Sequence, residues 1–307
     1  MTLKNKNNLI KHLSFITIIL ISFILIFTFK DNSTKSAINE NTIKETIKSD
    51  LNGDGKEDCL YIELESENNY IINATINEKS YELIPNKAIN SLGKFSPNRP
   101  ITLNLLDLDR NNIKEIIVQS SEENSSIQHL FKWTGNSFED IFYSTNNILG
   151  VVDSNNGKTP KILSFSLGDS KENIQKYMLL NKKFKNISYD TVEPTGLYSI
   201  ISFIDIISLN YEISELPNIF ATYISKEDLS QIWRLEKESY YYDFQDAFFM
   251  DIAWNNTGEA TNCSWTLNFN KIPKENPNNK SQVKFIIQLE KFNDTFLISS
   301  INLNINK

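Results

Sequence analysis

Asp50-Leu51-Asn52-Gly53-Asp54-Gly55-Lys56-Glu57-Asp58 runs directly into the apolar Cys59-Leu60-Tyr61-Ile62. This stretch puts side-chain oxygens at positions 1, 3, 5 and 9 of a short loop and a glycine at position 6. Calcium takes about six to eight oxygen ligands. The side chains of Asp50, Asn52, Asp54 and Asp58, with the backbone carbonyl of Lys56, offer most of such a shell. Gly55 allows the positive φ that wraps a loop round an ion. An EF-hand would need a bidentate Glu at position 12 and a helix after it; here position 12 is Tyr61 and the following residues favour a strand. Set against a plain Asp/Asn/Gly turn, three carboxylates so close together repel one another unless a cation joins them.

The pattern recurs. Asp107, Asp109, Asn111 and Glu115 hold positions 1, 3, 5 and 9 of a second loop, and Ile116-Ile117-Val118 follows. A weaker copy starts at Asp153 with Asn155 at position 3, but Gly157 and Lys161 fill positions 5 and 9. The first aspartates lie 57 and 46 residues apart, periods that mark repeated supersecondary units. Each unit holds runs rich in Ile, Leu, Tyr, Val and Phe between Asn, Asp, Ser and Gly clusters, which read as three or four short strands. Tyr70–Ile76 and Ser80–Ile84 predict a hairpin across Asn77-Glu78-Lys79, and Ile127–Trp133 another across Thr134-Gly135-Asn136.

An acidic loop of the form D-x-[DN]-x-[DN]-G-x-x-[DE], set just before an apolar strand and repeated at this interval, resembles the FG-GAP or VCBS type of repeat. The resemblance covers about residues 45–195. It implies blade-like antiparallel β structure, as in integrin-like propellers and many exported bacterial proteins, with structural Ca2+ in the loops. Three units fall short of the four to eight blades of an ordinary ring, so the expected architecture is a partial or atypical β-propeller.

Before the repeats, Leu13–Phe29 is an uncharged apolar run of seventeen residues with Lys4, Lys6 and Lys11 ahead of it. It predicts a transmembrane helix at residues 1–30, acting as an anchor or signal, with the bulk of the chain outside the cytoplasm; if the segment is cleaved, the protein is secreted. Residues 31–45 are polar and read as a linker. Residues 46–195 form the expected repeat domain and 196–307 a smaller α+β domain. Within the latter, Ser225 and Asp228 form an N-terminal cap for a helix expected to run to about Glu238 and to bury Leu229, Ile232 and Trp233. Long strands follow from Tyr240, ending in a hairpin over Val283–Ile305.

The formal charge of −7 and the lack of a basic face exclude a nucleic-acid partner. No P-loop or dinucleotide fingerprint occurs, which excludes a nucleotide. His12 and His129 are the only histidines, too few for a His-based metal site or triad. Spacing alone leaves open whether Cys59 and Cys263 pair. The expected function is therefore non-enzymatic: a membrane-anchored module that binds an extracellular protein or glycan, or serves as a scaffold. The alternative is a cell-wall or glycan hydrolase using two of Asp243, Asp246 and Asp251. A subunit whose partner binds the Leu13–Phe29 helix is a third.

Overall fold

In the computed structural model, which describes residues 45–180, 183–209 and 215–305, each acidic loop joins the first two strands of an antiparallel meander. The first meander is β1 (Glu45–Ser49), β2 (Asp58–Leu64), β3 (Tyr70–Ile76) and β4 (Lys79–Glu82). The second is β5 (Thr102–Leu106), β6 (Glu115–Glu122), β7 (Ser125–Trp133) and β8 (Phe138–Ser144). The third is β9 (Ile148–Val152), β10 (Lys161–Phe165), β11 (Gln175–Leu180) and β12 (Lys183–Asn186). Helices α1 (Leu197–Ser208) and α2 (Lys226–Trp233) come next. They precede β13 (Tyr240–Trp254), β14 (Ala260–Pro273), β15 (Ser281–Phe292) and β16 (Thr295–Ile305). The protein is thus mainly β, with antiparallel sheets and no closed barrel among the described residues.

The first expected hairpin forms one residue tighter than read, Lys79 already pairing with Ile76. Asn77 and Glu78 both take positive φ (47° and 66°) in the two-residue link between β3 and β4, as a hairpin that matches strand twist demands. The expected membrane segment, Leu13–Phe29, lies outside the described residues. Among those described, no helix is long and apolar enough to cross a membrane.

The meanders stack face to face. In β6, Ile116 and Val118 pack with Leu60, Ile62 and Ile72 of the first meander. Ile117 between them points the other way, into a core with Leu149, Val151 and Ile162 of the third. A strand covered on both faces reads as a continuous apolar run, and Ile116-Ile117-Val118 does so because its sheet is the middle layer. In β9 the same alternation sends Leu149 and Val151 toward the second meander, while Ile148 and Val152 enter a core with α1 and the C-terminal strands.

The third meander does not end as the first two do. Its first strand, β9, pairs in parallel with β13, Gly150 standing opposite Phe249. The result is one eight-stranded sheet ordered β12-β11-β10-β9-β13-β14-β15-β16, which carries the third repeat into the C-terminal segment without a break. Gly150 permits this joint, since a Cβ there would stand 2.0 Å from the Phe249 ring. That ring is fully buried and stacked on Trp265 at 4.2 Å between centroids. At the far edge, residues 219–221 cover part of β16 through the Ala221 N–H to Ile298 O and Ile298 N–H to Ile219 O bonds, each 2.8 Å.

One local expectation needs correction. The α2 helix opens as read, with Ser225 Oγ accepting from the Asp228 N–H at 2.9 Å. It stops at Trp233, however, with Arg234 as its C-cap, and Leu235 rather than Trp233 turns into the core; Trp233 is 44% exposed and Leu235 only 4%. The apolar run from Leu197 is a helix that no capping residue announces, Gly196 entering it at φ 77°. Cys59 and Cys263 are both free thiols.

Candidate functional site

The loop sequences dictate a shared backbone. Positions 4 and 6 lie in the left-handed region in both of the first two loops: Gly53 and Gly55 at φ 81°, Arg110 at 63° and Asn112 at 65°. Position 1 holds the turn. Asp50 Oδ2 accepts the Gly55 N–H at 2.8 Å and Asp107 Oδ2 accepts the Asn112 N–H at 2.9 Å. Position 5 repeats the device, with Asp54 Oδ1 accepting from Lys56 N–H at 2.9 Å and Asn111 Oδ1 from Ile113 N–H at 2.7 Å. Position 9 closes each loop against position 2: the Leu51 N–H donates to Asp58 Oδ2 at 2.9 Å, and the Leu108 N–H to Glu115 Oε2 at 2.8 Å. Both leucines are buried plugs, 0% and 1% exposed. These side-chain-to-backbone bonds supply the turn with acceptors that its backbone cannot.

The loops differ in how their negative charge is met. In the first, Asn52 Nδ2, the Lys56 N–H and Asn77 Nδ2 hold the Asp54 carboxyl below the usual carboxylate range. Burial pushes Asp58 up against the Leu51 N–H, and the nearby charges of Asp54 and Asp50 push it further. Asp50, Asn52, Asp54, Asp58 and the Lys56 carbonyl are hard oxygen donors, the chemistry Ca2+ prefers over softer-ligand metals. The mutual repulsion at Asp58 is what a divalent cation would relieve.

In the second loop Asp107, Asp109 and Glu115 each bring a carboxylate oxygen into a cluster no wider than 4.8 Å. Lys132 of β7 reaches into it. Its Nζ donates to Asp109 Oδ2 at 2.7 Å and to Glu115 Oε1 at 2.8 Å, with the side chain only 9% exposed. Burial works against the ammonium charge, but these two bonds outweigh it and hold the amine above the ordinary lysine range. Asn111, the remaining expected ligand, is exposed and bonds to Ile113.

The third loop is met by two side-chain cations. Lys161 Nζ bonds Asp153 Oδ2 at 2.9 Å. Arg110 of the second loop donates from one Nη to the carbonyls of Asp153, Asn156 and Lys158 at 2.8, 3.1 and 3.0 Å. The same loop is tied to β13, where Asp251 Oδ2 accepts the Asp153 N–H at 3.1 Å and the Asp251 carbonyl accepts Ser154 Oγ–H at 2.9 Å. Lys132 was hidden from sequence inspection. Its one signal is a lysine inside the otherwise uncharged strand Ile127–Trp133.

The three acids of β13 serve different ends. Asp243 is exposed. Asp246 accepts from Arg99 Nε at 3.0 Å and Asn268 Nδ2 at 2.7 Å. Asp251 is 3% exposed and also accepts the Thr195 hydroxyl at 2.7 Å; burial pushes its carboxyl up. Beside Thr195, α1 and residues 294–296 frame an open groove of about 1080 Å3 that includes Tyr198, Ile201, Glu259 and Lys291. Tyr198 is 74% exposed there. No protein-family model matches the chain, and no curated protein does.

Proposed function

We propose that the protein is a non-enzymatic binding or scaffolding module, anchored by its N-terminal apolar segment and displayed outside the membrane. Calcium at the first loop stiffens its β repeats. The observation that carries this reading is the commitment of the acids. Asp246 and Asp251 join β13 to Arg99 and to the third loop, and the loop acids hold their own turns. A glycosidase needs two carboxyl groups that flank the bond to be cut, and acids spent on such joints favour architecture over hydrolysis. The open groove beside Tyr198 supports a ligand-binding role for an extracellular protein or glycan.

One experiment separates this from the hydrolase alternative. The full-length chain is incubated with purified cell-wall glycan, and both co-sedimentation and new reducing ends are measured. Binding that Tyr198→Ala weakens, with no new reducing ends, is the expected result. Release of reducing ends that is lost in Asp251→Asn or Asp246→Asn overturns it.

A further inference from the structure

We propose that Lys132 is a built-in cation that takes the ion's place in the second loop, so that the chain binds calcium at the first loop alone. This rests on the calcium reading of the repeats and adds which copy is selective and what makes it so. The ground is a comparison of equivalent positions. One step beyond the Cys59–Thr75 pair of β2 and β3, Ile76 stands across from Asp58. One step beyond the Ile116–Phe131 pair of β6 and β7, Lys132 stands across from Glu115. Two loops that share the bonds at positions 1, 5 and 9 therefore differ at this register position across the strand pair: a buried isoleucine in the first, an ammonium in the second.

The ammonium sits where an ion would bind. It lies 2.7 Å and 2.8 Å from two of the three clustered carboxylates. Calcium bonds to oxygen at about 2.3–2.6 Å, so an ion on Asp109 and Glu115 would share the space of Nζ and meet a like charge. The site is built for more acceptor contact than one ammonium uses. The Asp109 side chain is 7% exposed, yet its buried Oδ1 has no hydrogen-bond partner. The third loop repeats the substitution from another position, Lys161 at position 9 facing Asp153 at 2.9 Å. A lysine thus meets the loop carboxylates in two copies, from different strands.

Calcium stoichiometry by isothermal titration of the full-length chain tests this. The wild type is expected to take one ion, Asp54→Ala none, Lys132→Met two, and the Asp54→Ala/Lys132→Met double variant one. Lys132→Gln, which keeps a donor toward Asp109, stands in if the methionine variant does not fold. Two ions in the wild type, or no gain in either Lys132 variant while Asp54→Ala still abolishes binding, overturns the inference and leaves the first-loop reading intact. No ion in the wild type but one in the Lys132 variants overturns the first-loop reading and upholds the role of Lys132.

Discussion

Replacing Gly150 by alanine tests whether the β9–β13 joint is set by a single missing side chain. The new Cβ would meet three carbons of the Phe249 ring at 2.0, 2.2 and 2.2 Å, far inside van der Waals contact. The ring has little room to retreat. It is stacked within 14° on Trp265, which is itself 0% exposed, and Phe165 stands against it at 6.4 Å. Overpacking a core costs about 1–3 kcal/mol, and a ring with no free side puts Gly150→Ala at the top of that range, about 3 kcal/mol. At roughly 2–4 °C per kcal/mol for a chain of this size, the melting temperature falls by about 6–12 °C. Phe249→Leu alone costs about 1–2 kcal/mol for its lost volume. Because the two sites touch, the double variant is more stable than the sum of the single losses by about 1 kcal/mol or more. Urea titration read by tryptophan fluorescence provides the free energies. Strict additivity, or a Gly150→Ala midpoint equal to wild type, would refute the reasoning.

Other expectations follow from the loops and from α2. Extracellular calcium modules bind at ~10⁻⁴–10⁻³ M, so about 10 mM calcium stabilises the wild type by about 1.4–2.7 kcal/mol; Asp54→Ala removes the rise, and calorimetry without any calcium-dependent shift sinks the calcium reading. Arg110→Ala strips three carbonyls of the third loop of their donor and costs about 1–2 kcal/mol, measured by urea denaturation. Burial acts to raise the Asp228 carboxyl, but donors from Ser225, the Ile301 N–H and Ser300 outweigh it and hold it low. A depressed folded value gives stability that is present above the unfolded value and lost as pH falls through the folded one. Asp228→Asn therefore flattens the acid limb of the melting-temperature profile below about pH 4, and an unchanged limb contradicts the assignment.

What the sequence made legible was local and periodic. Loop chemistry at Asp50 and Asp107 sits where oxygen spacing and a left-handed position coincide, and the hairpin at Asn77-Glu78 follows from turn residues alone. Ser225 and Asp228 announce α2 by a capping pattern that needs no tertiary knowledge. Helix α1 carries a fainter signal, since Gly196 stands in place of a capping residue and only Tyr198, Ser202 and Asp205 mark its outer face among the apolar residues. The placement of Lys132 was illegible for a different reason. Its meaning lies across the strand pair, in Glu115, and a cross-strand partner is invisible until the register is known. The same holds for Arg110, whose acceptors are backbone carbonyls that any residue would offer.

The parallel pairing of β9 with β13 also bears on how the chain acquires its structure. Ile148 and Ala247 are partners, yet roughly a hundred residues separate them, and synthesis at ~5–20 residues per second delivers the second about 5–20 s after the first. Through that interval the third meander has its loop and its hairpins, but the edge at β9 still waits for its partner. Such an edge is a template for any passing strand, and contacts of such long sequence separation form slowly. In the first two meanders every pairing joins strands next to each other in sequence, so none of them has such a wait. The C-terminal strands thus act as an intramolecular guard, and a chain truncated before β13 is expected to associate through β9.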